Sequence, residues 1–313
     1  MSVIVWGVPT ESPVALLLDA LERQGTDAVL LHPRRFASQT VEVSLTSGGV
    51  TGSVLVDGRS LPLDEVSGVY VRCVEPELLP ELSGLAADHP DRHRAAGVYS
   101  ALTAFTEAAP AFSGCRVASR LSSMASNMSK PYQAQRIQKA GFDTPETLLT
   151  DDPEQAAAFV DAHPGAIFKS ASGVRSVVRE FDPATDIERL GRIRWCPVQF
   201  QENVRGRDVR VHVVGDEAYA AIVDSDATDY RYARAQVGRD AELARFDLPD
   251  ELAQRCIDLA TSLDLPFAGV DLKLAHDGRV VCFEVNPSPG YPWYESAAEL
   301  PISDALARWL AAA

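Results

Sequence analysis

The most diagnostic segment of the sequence is FAGVDLKLAHDGRVVCFEVNPSPG, residues 267–290. Two runs that alternate apolar and polar residues flank Asp277-Gly278, and this dipeptide in such a setting is a strong signal for a β-hairpin. A two-residue turn sets the pairing of the two strands. Asp271 is therefore predicted to lie directly opposite Glu284.

The same register distributes the other residues between two faces, because directly paired residues share one face of a sheet. It predicts Gly269 opposite Asn286 and Lys273 opposite Cys282. The polar face then carries Asp271, Lys273, Glu284 and Asn286, and the apolar face carries Val270, Leu272, Leu274, Val281, Phe283 and Val285. The hairpin is predicted to bury one face and to leave the other available for chemistry.

The polar face contains two carboxylates that should repel each other, since directly opposite Cβ atoms are about 4.5–5.5 Å apart. A hard divalent cation, bound by carboxylate and amide oxygens and completed by water and phosphates, would offset this repulsion. Asp271, Glu284 and Asn286 are therefore candidate ligands for Mg²⁺ or Mn²⁺. The alternative is a solvated polar face on which Lys273 pairs with Asp271.

A second hairpin is predicted in VRGRDVRVHVVGDEAYAAIVDS, residues 204–225, with its turn at Gly215-Asp216. Asp208 and Arg210 point to one face, while valines at the alternate positions fill the core. Asp208 would accept hydrogen bonds from ribose hydroxyls, and Arg210 would clamp a phosphoryl group. The alternative is a cross-strand ion pair. His212, on the same face, is interpreted as an ordinary strand histidine.

The composition is that of a globular protein, with 313 residues, 46% apolar residues and a formal net charge of −15. This acidic balance argues against binding to nucleic acids or anionic membranes through bulk charge. No apolar run approaches the ~20 residues that span a bilayer, and the N-terminus does not read as a secretory signal. The five widely spaced cysteines favour neither a zinc site nor a disulfide framework, so a reducing cytoplasm is expected.

Three segments are predicted along the chain. Residues 1–118 begin with strands at Val3–Trp6 and Ala28–Leu31 around a helix, a pattern typical of a parallel sheet. The segment between the first strand and the helix, GVPTESP, lacks the GxGxxG motif of a dinucleotide-binding site. Residues 119–200 and 201–313 interleave helices with antiparallel hairpins and are predicted to form two α+β subdomains.

Taken in order, these motifs resemble the ATP-grasp superfamily and look closest to its RimK-like branch, including the peptide-modifying ligases that make graspetides. The motifs are NMSKPYQAQRIQKAGFDTPETLL, AIFKS, QENVRGRDVRVHVVG, TDYRYA, GVDLKL and FEVNPSPG, and they cover about residues 119–295. The N-terminal segment is similar to a pre-ATP-grasp domain. The resemblance implies an α/β and α+β fold, in which a parallel-sheet domain precedes two α+β subdomains that clasp the nucleotide.

The resemblance also implies which residues contact ATP. Lys130 and Lys169 correspond to the two lysines that hold the nucleotide phosphates, and two of the chain's four lysines fall on these positions. Gln201 begins the segment that corresponds to the hinge. There the Glu202 carbonyl and the Val204 amide would read the adenine edge.

Further roles follow from the same resemblance. Asp208 falls where a ribose-binding carboxylate is expected, and Arg210 falls where an arginine meets the transferred phosphate. The magnesium ligands correspond to Asp271, Glu284 and Asn286, and the catalytic candidates are Arg210, Arg231 and Lys273. Arg231, in TDYR, resembles an arginine near the acceptor substrate.

Three features leave alternatives open. The phosphate-covering loop appears as SASGVRSVV, residues 170–178, with a single glycine. The aromatic residues of GYPWYE, which are Tyr291, Trp293 and Tyr294, either line an acceptor pocket or pack the C-terminal helix. Arg72 in VYVR either contacts substrate or forms a structural ion pair.

The implied activity is an ATP-dependent ligase that joins a carboxylate to an amine through an acyl phosphate, with an amino acid or a peptide as substrate. A graspetide-type macrocyclase, which joins side chains within a precursor peptide, is the more specific version. The competing hypotheses are an ATP-binding regulator without catalysis, which the glycine-poor loop favours, and a phosphotransferase. Dimers are common in this family, so a homodimer is possible.

Overall fold

A computed structural model describes residues 1–47, 49–170, 178–225, 227 and 230–312, apart from the side chains of 45, 46, 49, 50, 111–113, 170 and 231. Most of the predicted SASGVRSVV loop lies outside these described residues. The fold class is the predicted mixture of α/β and α+β architecture. The domain boundaries at 118/119 and 200/201 remain predictions.

The N-terminal elements begin with the predicted β-α-β unit. In chain order they are β1 (Ser2–Gly7), α1 (Ser12–Arg23), β2 (Asp27–Leu31), β3 (Gln39–Thr46), β4 (Gly49–Val56), β5 (Arg59–Pro62), β6 (Val66–Arg72), α2 (Pro90–Ser113) and β7 (Arg116–Ala118). A parallel sheet has the strand order β2-β1-β6-β7. Strands β3, β4 and β5 form a separate antiparallel sheet.

The central elements include a small antiparallel sheet. They are α3 (Leu121–Met124), α4 (Lys130–Lys139), β8 (Thr147–Thr150), α5 (Pro153–Ala162), β9 (Ile167–Ser170), β10 (Arg179–Glu180), α6 (Pro183–Asp186), a 3-10 segment (Ile187–Trp195) and β11 (Val198–Gln201). The sheet has the order β10-β9-β11-β8. Phe168, Phe181 and Phe200 fill the core of this unit.

The C-terminal elements are built on a five-stranded antiparallel sheet with the order β14-β13-β12-β15-β16. They are β12 (Gly206–Val214), β13 (Glu217–Asp224), a 3-10 turn (Tyr230–Tyr232), α7 (Ala233–Val237), β14 (Glu242–Phe246), α8 (Asp250–Ser262), β15 (Phe267–Ala275), β16 (Val280–Asn286), α9 (Pro292–Ala298) and α10 (Ile302–Ala311). The predicted turn at Gly215-Asp216 is confirmed, since Val214 pairs with Glu217. Strand β14 and helix α9 were not predicted.

The turn between β15 and β16 differs from the two-residue prediction. The N–H of Ala275 donates to the Arg279 carbonyl at 2.9 Å, and the N–H of Gly278 donates to the Ala275 carbonyl at 3.0 Å. The loop therefore has three residues. Of the predicted turn pair, Gly278 takes a positive φ of 91°, whereas Asp277 does not. A tight two-residue turn needs different backbone angles, so the chain uses one more residue.

A β-bulge compensates for the longer loop. Near the turn the register is shifted by one, so Lys273 lies opposite Val281, and the predicted pairing of Lys273 with Cys282 is wrong. The shift ends between Asp271 and Leu272, because Phe283 is an extra residue in β16. Phe283 lines the site cavity and is therefore not part of the apolar face to which it was assigned.

Beyond the bulge the predicted register is confirmed. Asp271 lies opposite Glu284, and Gly269 lies opposite Asn286. The longer loop alone would have moved every side chain of β16 to the other face, whereas the bulge returns the polar residues to the face on which they were predicted. The two local deviations thus cancel at the position that matters for the site.

Helices α9 and α10 bring the end of the chain back to the N-terminal sheet. Ile302, Leu306 and Leu310 are fully buried in one cluster with Val3 and Leu17. The C-terminal elements are thereby joined to the parallel sheet through an apolar core. Among the residues that the structure describes, no helix combines the length and the apolar character needed to cross a membrane.

Candidate functional site

The candidate site is a cleft between the central sheet and the C-terminal sheet. One space of about 330 Å³ is lined by Lys169, Gln201, Val204, Asp208, Arg210, Asp271, Lys273, Glu284 and Asn286. An adjoining space of about 430 Å³ shares Lys169, Gln201, Phe283 and Glu284 and adds Lys130. The structure thus brings both candidate phosphate lysines to the same cleft as the three candidate metal ligands.

Asp271 is held from two sides. Its Oδ1 accepts a hydrogen bond from Arg210 at 2.5 Å, and its Oδ2 accepts one from the Asn286 amide at 2.9 Å. Arg210 can reach it because β12 pairs with β15 so that the two residues are directly opposite. A cation of the protein therefore offsets the charge of Asp271, which is the role that the sequence argument gave to a metal ion.

Arg210 is buried, with 7% of its surface exposed. Burial by itself lowers the pKa of a guanidinium, but Asp271 opposes this effect, and the pKa of Arg210 is raised overall. The neighbouring Gly269 makes room for the side chain, because a Cβ at position 269 would collide with the guanidinium group. The glycine of the GVDLKL motif is thus explained by the close approach of Arg210.

Glu284 is held by the first turn of α4. Its carboxylate accepts a hydrogen bond from Lys130 Nζ at 2.7 Å, and the same Nζ donates to Asn127 at 2.9 Å. Burial raises the pKa of Glu284, but the charges of Lys130, Lys169 and Arg210 outweigh it, so the pKa lies below its ordinary value. Glu284 is therefore ionised at neutral pH.

Asp208 and Lys273 also form a pair across the strands, with 3.2 Å between the carboxylate and Nζ. They are directly opposite in the register of β12 with β15. Lys273 thus pairs with Asp208, whereas the alternative offered from the sequence paired it with Asp271. The same ammonium lies 5.8 Å from the centre of the Phe283 ring. Phe283 was missed as a site residue because its position depends on the bulge.

The candidate hinge is attached to the hairpin loop. The N–H of Glu202 donates to the Glu146 carbonyl at 2.8 Å, and its carboxylate pairs with Arg279 at 2.6 Å. Arg279 lowers the pKa of Glu202. Within the described part of the chain, the Glu202 carbonyl and the Val204 N–H make no backbone hydrogen bond. Their contact with the adenine edge stays a prediction.

The end of the cleft beyond Asn286 has an aromatic wall. The hydroxyls of Tyr230 and Tyr294 are hydrogen-bonded at 2.9 Å, and Trp293 stacks on Tyr230. Tyr291 does not belong to this wall, because it is fully buried and its hydroxyl donates to the Pro13 carbonyl. Of the two interpretations offered for these aromatic residues, Tyr294 fits the pocket and Tyr291 fits the packing of the core.

Two arginines were considered near this end. Arg72 pairs with Glu11 at 2.8 Å and donates to the Ser288 hydroxyl at 2.9 Å, so it forms the structural ion pair that was one alternative. Arg231 lies in the 3-10 turn Tyr230–Tyr232, but its side chain is outside the described part of the structure. Its predicted role therefore stays a prediction.

His212 lies below the aromatic wall and is fully buried. Its ring centre is 5.0 Å from that of Tyr294. Burial, and then the charge of Arg210, hold the pKa of His212 well below 6.5. The prediction of an ordinary strand histidine did not anticipate this burial next to a guanidinium group.

The donor set fits a magnesium ion bound together with a nucleotide. Two carboxylates and one amide on one face supply hard oxygen atoms, and substrate phosphates and water usually complete such a site. Among the described residues, no three His, Cys, Asp or Glu side chains are grouped closely enough for a self-contained metal site.

Comparison with known proteins gives a consistent result. Residues 128–310 match a family model described as a RimK-like ATP-grasp domain. The solved ATP-grasp ligase PsnB, in a complex with a phosphomimetic variant of its minimal precursor, Mg and ADP, is 26% identical. That alignment covers 99% of this chain and 97% of PsnB, with a TM-score of 0.77.

Two further similarities have narrower meaning. The macrocyclase MdnC from Microcystis aeruginosa, solved with the precursor peptide MdnA, has a TM-score of 0.78 over 99% of both chains, but its 23% identity shows the fold alone. A probable alpha-L-glutamate ligase of Enterobacter sp. is 28% identical over 185 residues, which are 56% of this chain and 61% of the relative. The chain thus spans about three-fifths of such curated relatives.

Proposed function

Since the chain belongs to the RimK-like ATP-grasp family, we propose that it is an ATP-dependent carboxylate–amine ligase that acts on an amino acid or a peptide. One observation carries the proposal. Four elements, α4, β9, β15 and β16, bring together Lys130, Lys169, Asp271, Glu284 and Asn286, and all five residues line the same cleft. Their convergence supports a site for a nucleotide and a divalent cation.

The proposed reaction has two steps. An oxygen of the substrate carboxylate attacks the γ-phosphorus of ATP, and ADP leaves, which gives an acyl phosphate. An amine then attacks the acyl carbon and loses a proton, and inorganic phosphate leaves as the amide forms. Chemistry of this kind asks the protein mainly to position the reactants and to stabilise charge.

Each part of the cleft has a proposed contribution to these steps. Lys130 and Lys169 neutralise the phosphates as compact charges. Arg210, which is pre-positioned on Asp271, stabilises negative charge on the transferred group. Mg²⁺ or Mn²⁺, held by Asp271, Glu284 and Asn286, would add further neutralisation of the phosphate oxygens.

The remaining predicted residues contribute at the nucleotide end. Gln201 lines the cleft next to the hinge, where the Glu202 carbonyl and the Val204 N–H are proposed to contact adenine. Asp208 is proposed to accept hydrogen bonds from ribose, with Lys273 holding its carboxylate in place. The acceptor end is proposed to lie at the aromatic wall.

The test is release of ADP by the purified protein, measured with ATP, Mg²⁺ and a panel of carboxylates and amines. We expect ADP only when both a carboxylate and an amine are present, and a product whose mass is the sum of the two minus water. Tight ATP binding without ADP release across the panel would favour the regulator. A phosphorylated product that accumulates would favour the phosphotransferase.

A second candidate is a graspetide-type macrocyclase, which forms an ester or an amide within a precursor peptide. It is favoured by the similarity to PsnB, which extends over almost the full length of both chains. The similarity to the curated glutamate ligase covers only 56% of this chain. Loss of water from a peptide substrate, without addition of a second molecule, would distinguish this reaction from intermolecular ligation.

The setting of the reaction is also a proposal. A reducing cytoplasm, expected from the wide spacing of the five cysteines, is proposed as the compartment. A homodimer stays a prediction.

A further inference from the structure

Gln133 on α4 makes a two-point contact with the backbone of β16. Its Nε2 donates to the Val285 carbonyl at 2.9 Å, and its Oε1 accepts from the Val285 N–H at 3.0 Å. The residue is 1% exposed. A buried amide with both ends satisfied acts on Val285 as a paired strand would.

This contact lies on the outer side of an edge strand, where backbone groups lack a neighbouring strand. Closer to the turn, the backbone of Asp143 fills this role, since it bonds to the Val280 carbonyl at 3.3 Å and to the Cys282 N–H at 2.9 Å. Along a regular strand, every second residue points its backbone N–H and C=O groups to the same side. After Cys282, the next residue whose backbone groups point away from β15 is Val285, three positions later, because the bulge at Phe283 adds a residue.

Gln133 therefore bonds to the N–H and C=O of Val285, and these groups point away from β15 only in the bulged register. Without the bulge, the register near the turn would continue along the hairpin and would set Phe283 opposite Asp271. Glu284 would then move to the apolar face. The position of Glu284 in the cleft thus depends on whether the bulge is kept at this point.

We propose that Gln133 is a positioning residue that holds the bulge and so keeps Glu284 and Asn286 in register with Asp271. It acts through the backbone of Val285, which lies between the two candidate ligands. This inference rests on the proposed function, because it gives the register a purpose in binding a metal–nucleotide complex.

The neighbouring contact of Lys130 strengthens the argument. Lys130 is on the same helix, three residues before Gln133, and its ammonium contacts Glu284. The helix thus contacts two consecutive residues of β16, one through charge and one through a neutral amide. Only the charged contact is exchanged when Lys130 binds a phosphate, so the amide contact can persist through the reaction.

The test compares Gln133→Met, which removes both hydrogen bonds at similar volume, with Gln135→Met on the exposed side of the same helix. Calorimetry measures the binding of ADP with and without Mg²⁺, and hydrogen exchange measures protection of the Val285 amide. For Gln133→Met we expect about tenfold weaker binding of ADP in the presence of Mg²⁺, the usual size for loss of a group that orients metal ligands. Binding without Mg²⁺ and all properties of Gln135→Met should match the parent.

If Gln133→Met does not fold, Gln133→Glu replaces it, since a carboxylate still accepts from the Val285 N–H but cannot donate to its carbonyl. It should also weaken binding selectively with Mg²⁺. A folded variant at position 133 that exchanges Val285 faster but binds ADP with Mg²⁺ as the parent does would overturn the proposal. Failure of the parent itself to bind ADP would instead contradict the proposed function.

Discussion

Lys130 and Glu284, which are 154 residues apart in the chain, form an ion pair of 2.7 Å across the cleft. The proposed function gives each of them a different partner, a phosphate for the lysine and a metal ion for the carboxylate. Arg210 and Asp271 form a second such pair at 2.5 Å. Each of the two candidate metal-binding carboxylates is therefore balanced by a cation of the protein.

Removal of either candidate phosphate lysine should weaken ATP binding. For Lys130→Met and Lys169→Met we expect KM for ATP to rise about tenfold to a hundredfold, because a hydrogen bond to a charged group contributes about 1.5–3 kcal/mol. The control is Lys139→Met at the exposed end of α4, which should behave as the parent. Steady-state ADP release measures the effect, and equal KM values for all three variants would contradict the assignment.

The two carboxylates opposite each other should be needed for metal-dependent turnover. For Asp271→Asn and Glu284→Gln we expect ADP release to fall about a hundredfold or more, because each change removes a charged ligand of the proposed ion. The matched control is Glu251→Gln, an exposed carboxylate at the start of α8. Retention of full turnover by either site variant would show that its carboxylate holds no essential metal ion.

The sequence predicted this arrangement in part. The alternation of apolar and polar residues and the Asp277-Gly278 turn signal identified both strands and predicted that Asp271 lies opposite Glu284. However, the predicted turn was one residue too short, and the agreement depends on a bulge at Phe283. The contact that we propose to hold the bulge comes from Gln133, 152 residues away from Val285, and so leaves no local signal in the hairpin.

The charge pairing could not be read from the sequence for a related reason. Register within one hairpin follows from its turn, but the pairing of β12 with β15 joins two hairpins through no turn. Because Arg210 and Asp271 are paired in this way, the sequence argument assigned the compensating charge to a metal ion alone. The burial of His212 also depends on α9, which was not predicted.

Gly269 should be intolerant of a side chain. For Gly269→Ala we expect kcat to fall about tenfold or more, since the new Cβ displaces Arg210 from Asp271 and a charged hydrogen bond is lost. The control is Gly97→Ala in α2, where a Cβ would meet no neighbouring atom within 4 Å. Steady-state kinetics together with thermal denaturation would distinguish a loss of activity from a loss of stability. A fully active Gly269→Ala protein would show that Arg210 is not needed in its present position.

Arg279 should influence the nucleotide through the hinge. For Arg279→Gln we expect KM for ATP to rise about two- to fivefold with little change in kcat, because a partly exposed ion pair is worth up to about 1 kcal/mol. The loss frees Glu202, whose backbone is the proposed adenine contact. Arg245→Gln, on an exposed position of β14, serves as the control. A fall in kcat at unchanged KM would argue against a role at the hinge.

His212 should make the protein sensitive to acid. Because its pKa in the folded protein is held well below 6.5, the unfolded chain binds the extra proton first as the pH falls. Below about pH 6.5, His212 should then decrease the free energy of unfolding by about 1.4 kcal/mol per pH unit. Above that pH, the free energy of unfolding should not change with pH through His212.

The measurement is urea denaturation from pH 8 to pH 5 for the parent and for His212→Gln. The other five histidines are present in both proteins, so the difference between the two curves isolates His212. His93→Gln, at an exposed position in α2, should follow the parent. Parallel curves for the parent and His212→Gln would mean that this histidine is protonated equally easily in both states.

The central claim is that Asp271, Glu284 and Asn286 hold a divalent ion beside a nucleotide that Lys130 and Lys169 contact. The most direct measurement is anomalous scattering from crystals grown with Mn²⁺ and ADP. The account predicts a manganese peak between Asp271 and Glu284, with Lys130 moved from Glu284 to a phosphate. Nucleotide bound elsewhere, or a cleft in which the Lys130–Glu284 ion pair persists and no manganese lies between the carboxylates, would contradict it.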